Sequence, residues 1–300
     1  MRKRLGLSAE IEKKQAFVSS GATINRSSSA SEKISVYRSL FRGREDVFAR
    51  RWYSKMTEKS GYQPVCENEW CDGLCDKRKY KCSVCPNRKL SPIKDSDIYK
   101  NLEGKDCYGR DVIGIYPMLI DETCHFLCVD FDDKEYEKDA LAFCEICDEL
   151  KVSAYIERSR SGCGAHVWIF FAAPVPAAMA RRLGSLILTK AMKHRSELSF
   201  SSYDRLFPNQ DTMPNGGFGN LIALPLQGKV RNQGNSVFVD RNFNPYPDQW
   251  MYLSGVRKLD ITSVEEILNA ASQNDILGTL IDETPEKPWE TEQRAILSKN

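Results

Sequence analysis

The stretch FLCVDFDDKE, residues 126 to 135, runs an apolar strand pattern straight into Asp130, Asp132 and Asp133. Residues two apart on a strand point the same way, so Asp130 and Asp132 share one face and Phe131 takes the other. Outward from this stretch, the hydrophobic pattern predicts a strand at 125–132, a helix at 135–150, strands at 153–159 and 166–171, a helix at 176–197 and a strand at 221–227.

That β-α-β-β-α-β order predicts an α+β fold with a ferredoxin-like (RRM-like) core, in which two right-handed crossovers make the first and third strands antiparallel neighbours. The end of the first strand then lies beside the start of the third, which carries His166. Two carboxylates at one strand end are the hard oxygen ligands that Mg²⁺ or Mn²⁺ takes together with substrate phosphates. An imidazole alongside can contact a triphosphate. The hairpin before it, ERSRSGCGAHVW, supplies Arg160, Ser161 and flexible glycines suited to holding phosphate. Asp133 is read as an ordinary helix-start acid.

Composition bounds the rest. A 300-residue chain with 41% apolar residues can bury one large core or two modest ones. No run approaches the roughly 18 apolar residues of a membrane span and no secretory signal is visible, so no membrane role and a cytoplasmic setting are expected. In that setting, eleven cysteines point to reduced thiols rather than disulfides. A net charge of +2 confines any nucleic-acid binding to local patches.

Residues 1–33 read as a basic, mostly disordered lead-in and 34–110 as an N-terminal helical region with a cysteine-rich loop. Residues 111–260 read as the catalytic core and 261–300 as a helix and linker. Within the second region, Tyr37, Leu40, Phe41, Phe48 and Trp52 suggest two helices broken at Gly43. The last helix is expected to begin near Ser263, where Ser263 and Glu266 have capping-box spacing. The loop CENEWCDGLCDKRKYKCSVC offers Cys66, Cys71, Cys75, Cys82 and Cys85, more thiols than a tetrahedral zinc needs. Its cations Lys77, Arg78, Lys79, Lys81, Arg88 and Lys89 would present a basic surface. Cys144 and Cys147 have metal-like spacing but fit the buried stripe of a helix, and His125 and His194 are read as structural.

The VDFD strand, the SGCGAHVWIF hairpin and the phrases LFRGREDVFARRW, NEW, YPML and NLIALPLQGKVRNQGNSVFVD resemble the archaeo-eukaryotic primase superfamily across about residues 36–260. The branches they resemble are the primase-polymerase modules of TOTE conflict systems and of CRISPR-associated proteins. The resemblance implies template-directed nucleotidyl transfer by a two-metal mechanism with Mg²⁺ or Mn²⁺. DNA template and primer and nucleoside triphosphates would be the substrates, and a helicase, nuclease or CRISPR integrase of the same system a partner. It also implies that Asp130 and Asp132 are the metal-binding DxD, that His166 binds the nucleotide, and that structural Zn²⁺ sits at Cys66, Cys75, Cys82 and Cys85 with Cys71 spare.

One departure stands out: the family's third motif carries an acid where this chain has Leu221, Ile222, Ala223 and Leu224. Asp204 and Asp211 are the candidate substitutes, and Gln227 offers a neutral oxygen. Lys229, Arg231 and Asn232 add donors for triphosphate or template. Two other readings remain: a catalytically weakened nucleic-acid-binding module of the same fold, and a metal-dependent phosphohydrolase. The second gives the hairpin and His166 no task and expects a doubly wound sheet.

Overall fold

The computed structural model describes residues 24–80, 82–194, 206–214 and 217–271. Most of the lead-in, the tail beyond 271, Lys81 and Asp204 lie outside the described residues. Helix α1 (Ala30–Leu40) starts at a capping box in which Glu32 N–H donates to Ser29 Oγ and Ser29 N–H to Glu32 Oε2. It buries Ile34, Tyr37 and Leu40.

The expected second helix is a correction. Past Phe41 the chain extends, and Ala49–Tyr53 forms strand β1, paired antiparallel with β2 (Ser60–Pro64) and β3 (Ile113–Ile115). Gly43 is no helix break: a Cβ there would stand 2.4 Å from Tyr116 O, so the glycine lets the chain pass against β3's end. Phe48 and Ala49 are fully buried, and sheet pairing overrides the helical spacing of the aromatics.

Among the described residues there are two antiparallel sheets, giving a mixed α+β fold. The smaller has the order β2-β1-β3-β8, with β8 at Ile222–Ala223. The larger has the order β7-β4-β6-β5-β9, built from Leu206–Phe207, Thr123–Phe131, Ala165–Pro176, Tyr155–Arg158 and Val237–Phe238. The strand expected at 221–227 is thus only two residues long and belongs to the other sheet, bonded to β3. Leu206–Phe207 takes the edge beside β4 instead, pairing Val129 with Leu206.

Helices α3 (Tyr136–Glu149) and α4 (Ala177–His194) cover one face of the larger sheet. Phe131 meets Phe143 there, and Gly184 lets Leu127 and Leu206 approach α4. The opposite face carries Phe126, Trp168 and Phe170, and Phe41 packs edge-on against the two latter rings. Each such buried aromatic contributes about 2–3 kcal/mol. Cys144 and Cys147 are buried on α3 as expected. The last described helix (Ile261–Ala270) begins earlier than Ser263 because Asp260 caps it, accepting from Ser263 N–H at 2.9 Å. No helix among the described residues is long and apolar enough to cross a membrane.

Candidate active site

The site begins with register. β4 and β6 pair Asp130 with His166, and β5 and β6 pair Glu157 with the same histidine, so the three side chains stand in a row on the face away from α3 and α4. His166 Nδ1 donates to Glu157 Oε2 at 2.9 Å. Its Nε2 lies 3.6 Å from Asp130 Oδ1, a charge contact rather than a hydrogen bond. Glu157 is 1% exposed, and it also accepts from Trp168 Nε1 at 3.0 Å and Ser236 Oγ at 3.3 Å. Burial by itself would lower the His166 pKa, but the charge and hydrogen bond of Glu157, then the charge of Asp130, outweigh it and raise the imidazole above its ordinary value.

Glu157 is the residue that sequence reading missed. The pattern marked it only as the end of a strand, although a hairpin centred on Ser161 and Gly162 already sets it opposite His166.

The loop from Ser159 to Gly164 joins β5 to β6 at the end of the row. Ser159 N–H donates to Gly164 O, Ser159 and Ser161 hydroxyls lie 3.0 Å apart, and Cys163 N–H donates to Ser161 Oγ. Gly164 has no room for a side chain, since a Cβ would sit 2.8 Å from Phe131 O; this close approach holds the loop against the backbone of Asp132. Asp130 is half-buried at the strand end and Asp132 is exposed just beyond it.

Other expected site residues lie elsewhere. Asp211 makes an ion pair with Arg181 of α4 at 2.7 Å. The chain beyond β7 runs antiparallel to β4 and reaches Glu122, at the start of that strand, by Met213. Asp211 is therefore carried toward the far end of β4 from Asp130. Asp204 lies outside the described residues. Lys229 Nζ donates to Cys107 O, and Arg231 donates to Leu102 O and Leu226 O. Arg231 thereby ties the turn α5 (Gly228–Arg231) to the end of α2 (Asp95–Glu103), while Lys229 is exposed and reaches only the loop that follows α2. Gln227 is buried, with Nε2 bonded to Leu224 O and Oε1 unpartnered. His125 is buried and held neutral, its pKa pushed down to about 4 by burial, then by Arg42 and Lys258.

In the cysteine-rich loop, a bridge between Cys66 and Leu90 closes the base. Cys66, Cys75, Cys82 and Cys85 line one cavity of about 30 Å³, while Cys71 is exposed and points its thiol at Glu67 O. Lys89 N–H donates to Cys66 Sγ at 3.4 Å. Among the described residues no three His, Cys, Asp or Glu side chains stand together at metal-holding distance, here or at the aspartates. Of the loop's cations, Lys77 is paired with Glu69 and Lys89 with Glu67, whereas Arg78 and Lys79 are exposed.

The acid-histidine row lies on three adjacent strands of the larger sheet, and comparison supplies the family. Residues 32–267 match the model of the TOTE conflict system archaeo-eukaryotic primase domain. The chain belongs to that family, which supports a primase-like, nucleotidyltransferase role. It is also similar to the polymerase domain of Mycobacterium tuberculosis ligase D in complex with DNA, at 11% identity over 80% of this chain and 88% of that one, with a TM-score of 0.38. No curated protein matches.

Proposed function

We propose that this chain is a DNA-directed primase-polymerase, joining nucleoside triphosphates on a DNA template with Mg²⁺ or Mn²⁺. The observation that carries the reading is the row Asp130, His166 and Glu157 across three adjacent strands, in a chain of a primase family. The strand order β7-β4-β6-β5 with crossover helices α3 and α4 supports a ferredoxin-like core, its last strand supplied by Leu206–Phe207.

The donor set at the strand end suits a hard divalent ion that keeps waters and substrate phosphates as its remaining ligands, since Asp130 and Asp132 offer carboxylate oxygens open to solvent. Such an ion would neutralise charge on the reacting phosphates. The chain's own work is positional. Glu157 holds the His166 ring through Nδ1 and leaves Nε2 on the side of Asp130, where it could donate to a phosphate oxygen. The hydroxyls of Ser159 and Ser161 add neutral donors on the neighbouring loop.

Primer-template extension with each nucleotide type and each metal tests this: template-dependent lengthening is expected. DNA binding without incorporation under any condition would favour the weakened binding module. A specific observation keeps that second reading alive, because the described residues bring no third acid to Asp130 and Asp132. A phosphohydrolase reading expects a doubly wound parallel sheet, whereas the paired strands among the described residues are antiparallel.

We further propose one structural Zn²⁺ in the cysteine loop. Four thiols lining one cavity, with a backbone amide donated to Cys66, are the donor types zinc takes; an ion would have to draw them together, and four thiolates would leave no open position for chemistry. The double change Cys82→Ser and Cys85→Ser is expected to abolish zinc content and weaken template binding about tenfold, with a shallower salt dependence. Metal analysis of parent and variant checks it, and a parent free of zinc ends the assignment.

A further inference from the structure

His125 is a buried imidazole that no hydrogen bond holds among the described residues. It stands near the start of β4, where the pairing with β6 shifts register between Cys124 and Phe126, and it is 7% exposed. Its ring lines a groove of about 520 Å³ that also takes in Arg42, Glu45, Ile120 and Asp121. Asp130 lies five residues further along the strand, roughly 16 Å away at the ordinary rise, so this groove is separate from the acid-histidine row.

Two cations from distant parts of the chain stand with the ring. Arg42, just past the end of α1, is exposed, and among the described residues its guanidinium makes no hydrogen bond or ion pair. Lys258 reaches to the same helix end, where its Nζ donates to Ser39 O at 2.7 Å. The backbone sets this meeting: Leu259 N–H donates to Phe170 O, and Phe170 pairs with Phe126, so Lys258 and His125 are each one residue from the same point on β6. Burial, then Arg42 and Lys258, keep the ring neutral against the weaker opposing pull of Glu45 and Asp121. Lys258 is itself lowered, by burial first and then by Arg42. A cluster of three mutually opposed basic groups has donors to spare and lacks an anion.

We propose that this groove is a second anion site, which takes the phosphate group of a small organic phosphate between Arg42, Lys258 and His125. A guanidinium meets two phosphate oxygens through paired N–H donors, and the ammonium and an imidazole N–H meet others. A dianion placed there reverses the balance at His125, so the ring takes up a proton on binding and becomes a donor. The groove is larger than a phosphate and has the volume of a small-molecule pocket, with Ile120, 71% exposed, as an apolar rim for the organic part. The terminal phosphate of a nucleic-acid strand shares this chemistry and is the competing source. The acids favour the small molecule: Asp46 is paired with Arg44, but Glu45 and Asp121 also line the groove and would repel the further phosphates of a strand. The site stands independently of the polymerase reading.

The test titrates phenyl phosphate into the full chain without DNA or divalent metal, with binding read by calorimetry and by the rise in melting temperature. Arg42→Gln, a change at an exposed position, should weaken binding about tenfold. His125→Leu should weaken it about as much, yet hold or raise the melting temperature of the ligand-free protein, since an apolar side chain replaces an unpartnered buried imidazole. Arg241→Gln, which removes an ion pair with Asp148 on α3, is the charge control and should bind as the parent does. Inorganic sulfate, a dianion throughout pH 5 to 8, isolates the proton. The parent should bind it about five- to tenfold more tightly at pH 5 than at pH 8, and His125→Leu should lose that dependence.

No binding by the parent, or equal affinity in the parent and both variants, overturns the site. A His125→Leu protein that melts lower and binds phenyl phosphate as the parent does returns the histidine to a structural role and overturns its part in the site. A sulfate affinity flat in pH overturns the proton uptake. A 5′-phosphorylated oligonucleotide that binds more tightly than phenyl phosphate, and loses that advantage in both variants, overturns the small-molecule occupant.

Discussion

Changing Asp130 and Asp132 together to alanine abolishes nucleotide incorporation, a loss of roughly a thousandfold or more, while the protein stays folded and keeps its grip on DNA. The expectation follows from where the two carboxylates are. Asp130 ends β4 with its side chain still partly open to solvent, and Asp132 is exposed beyond the strand, so neither supports the sheet. The apolar residues between and before them, Phe131 and Val129, hold the strand against α3 and α4 and remain. Removing two negative charges also leaves the site no less attractive to phosphate. Primer extension alongside a DNA-binding titration checks it, and a double variant that extends primers at the parent rate would end the catalytic reading.

Glu157 carries the second large effect, on stability as well as activity. Glu157→Ala leaves His166 Nδ1, Trp168 Nε1 and Ser236 Oγ without their shared acceptor in a buried place, which costs about 3–5 kcal/mol. Glu157→Gln keeps the shape and one acceptor oxygen but presents an amide where His166 needs a carboxylate. The ring then turns over its tautomer and loses the charge that Glu157 favours, and kcat/KM for the nucleotide should fall about tenfold to a hundredfold, mostly through KM.

The sign of the pH dependence separates this from simple damage. The folded His166 pKa lies above its ordinary value of 6.5, so the stabilisation from the charged ring is complete below that value and fades as pH rises through the folded one. Denaturation should therefore find the gap between parent and Glu157→Gln widest in mild acid and narrower in alkali. A gap that grows with pH would contradict the assignment.

Much of the core was legible in the residues alone. The apolar run into Asp130, the alternation of strands and helices from 123 to 194 and the glycine-serine hairpin all have local causes: period, strand propensity and turn chemistry act over a few neighbouring residues. So does the burial of Cys144 and Cys147, which follows from helical spacing. Asp130 beside His166 was reachable too, since strand order sets it once the crossovers are right-handed.

Tertiary structure decided what depends on partners far along the chain. Trp52, at helical spacing from Phe48, became part of a strand because Ala49–Tyr53 found β2 and β3 to pair with, and Ile222–Ala223 joined that smaller sheet because β3 offered an edge. Arg231 was drawn inward by the carbonyls of Leu102 and Leu226, and Asp211 was claimed by Arg181. Glu157 and the meeting of Arg51 with Arg160 at Gly109 belong to the same kind. A buried charge is tolerable only where its partners converge, and those of Glu157 come from β6 and from Ser236 far along the chain, while the two arginines come from two sheets. Local sequence sets which way a side chain points; only the assembled sheets set what it meets.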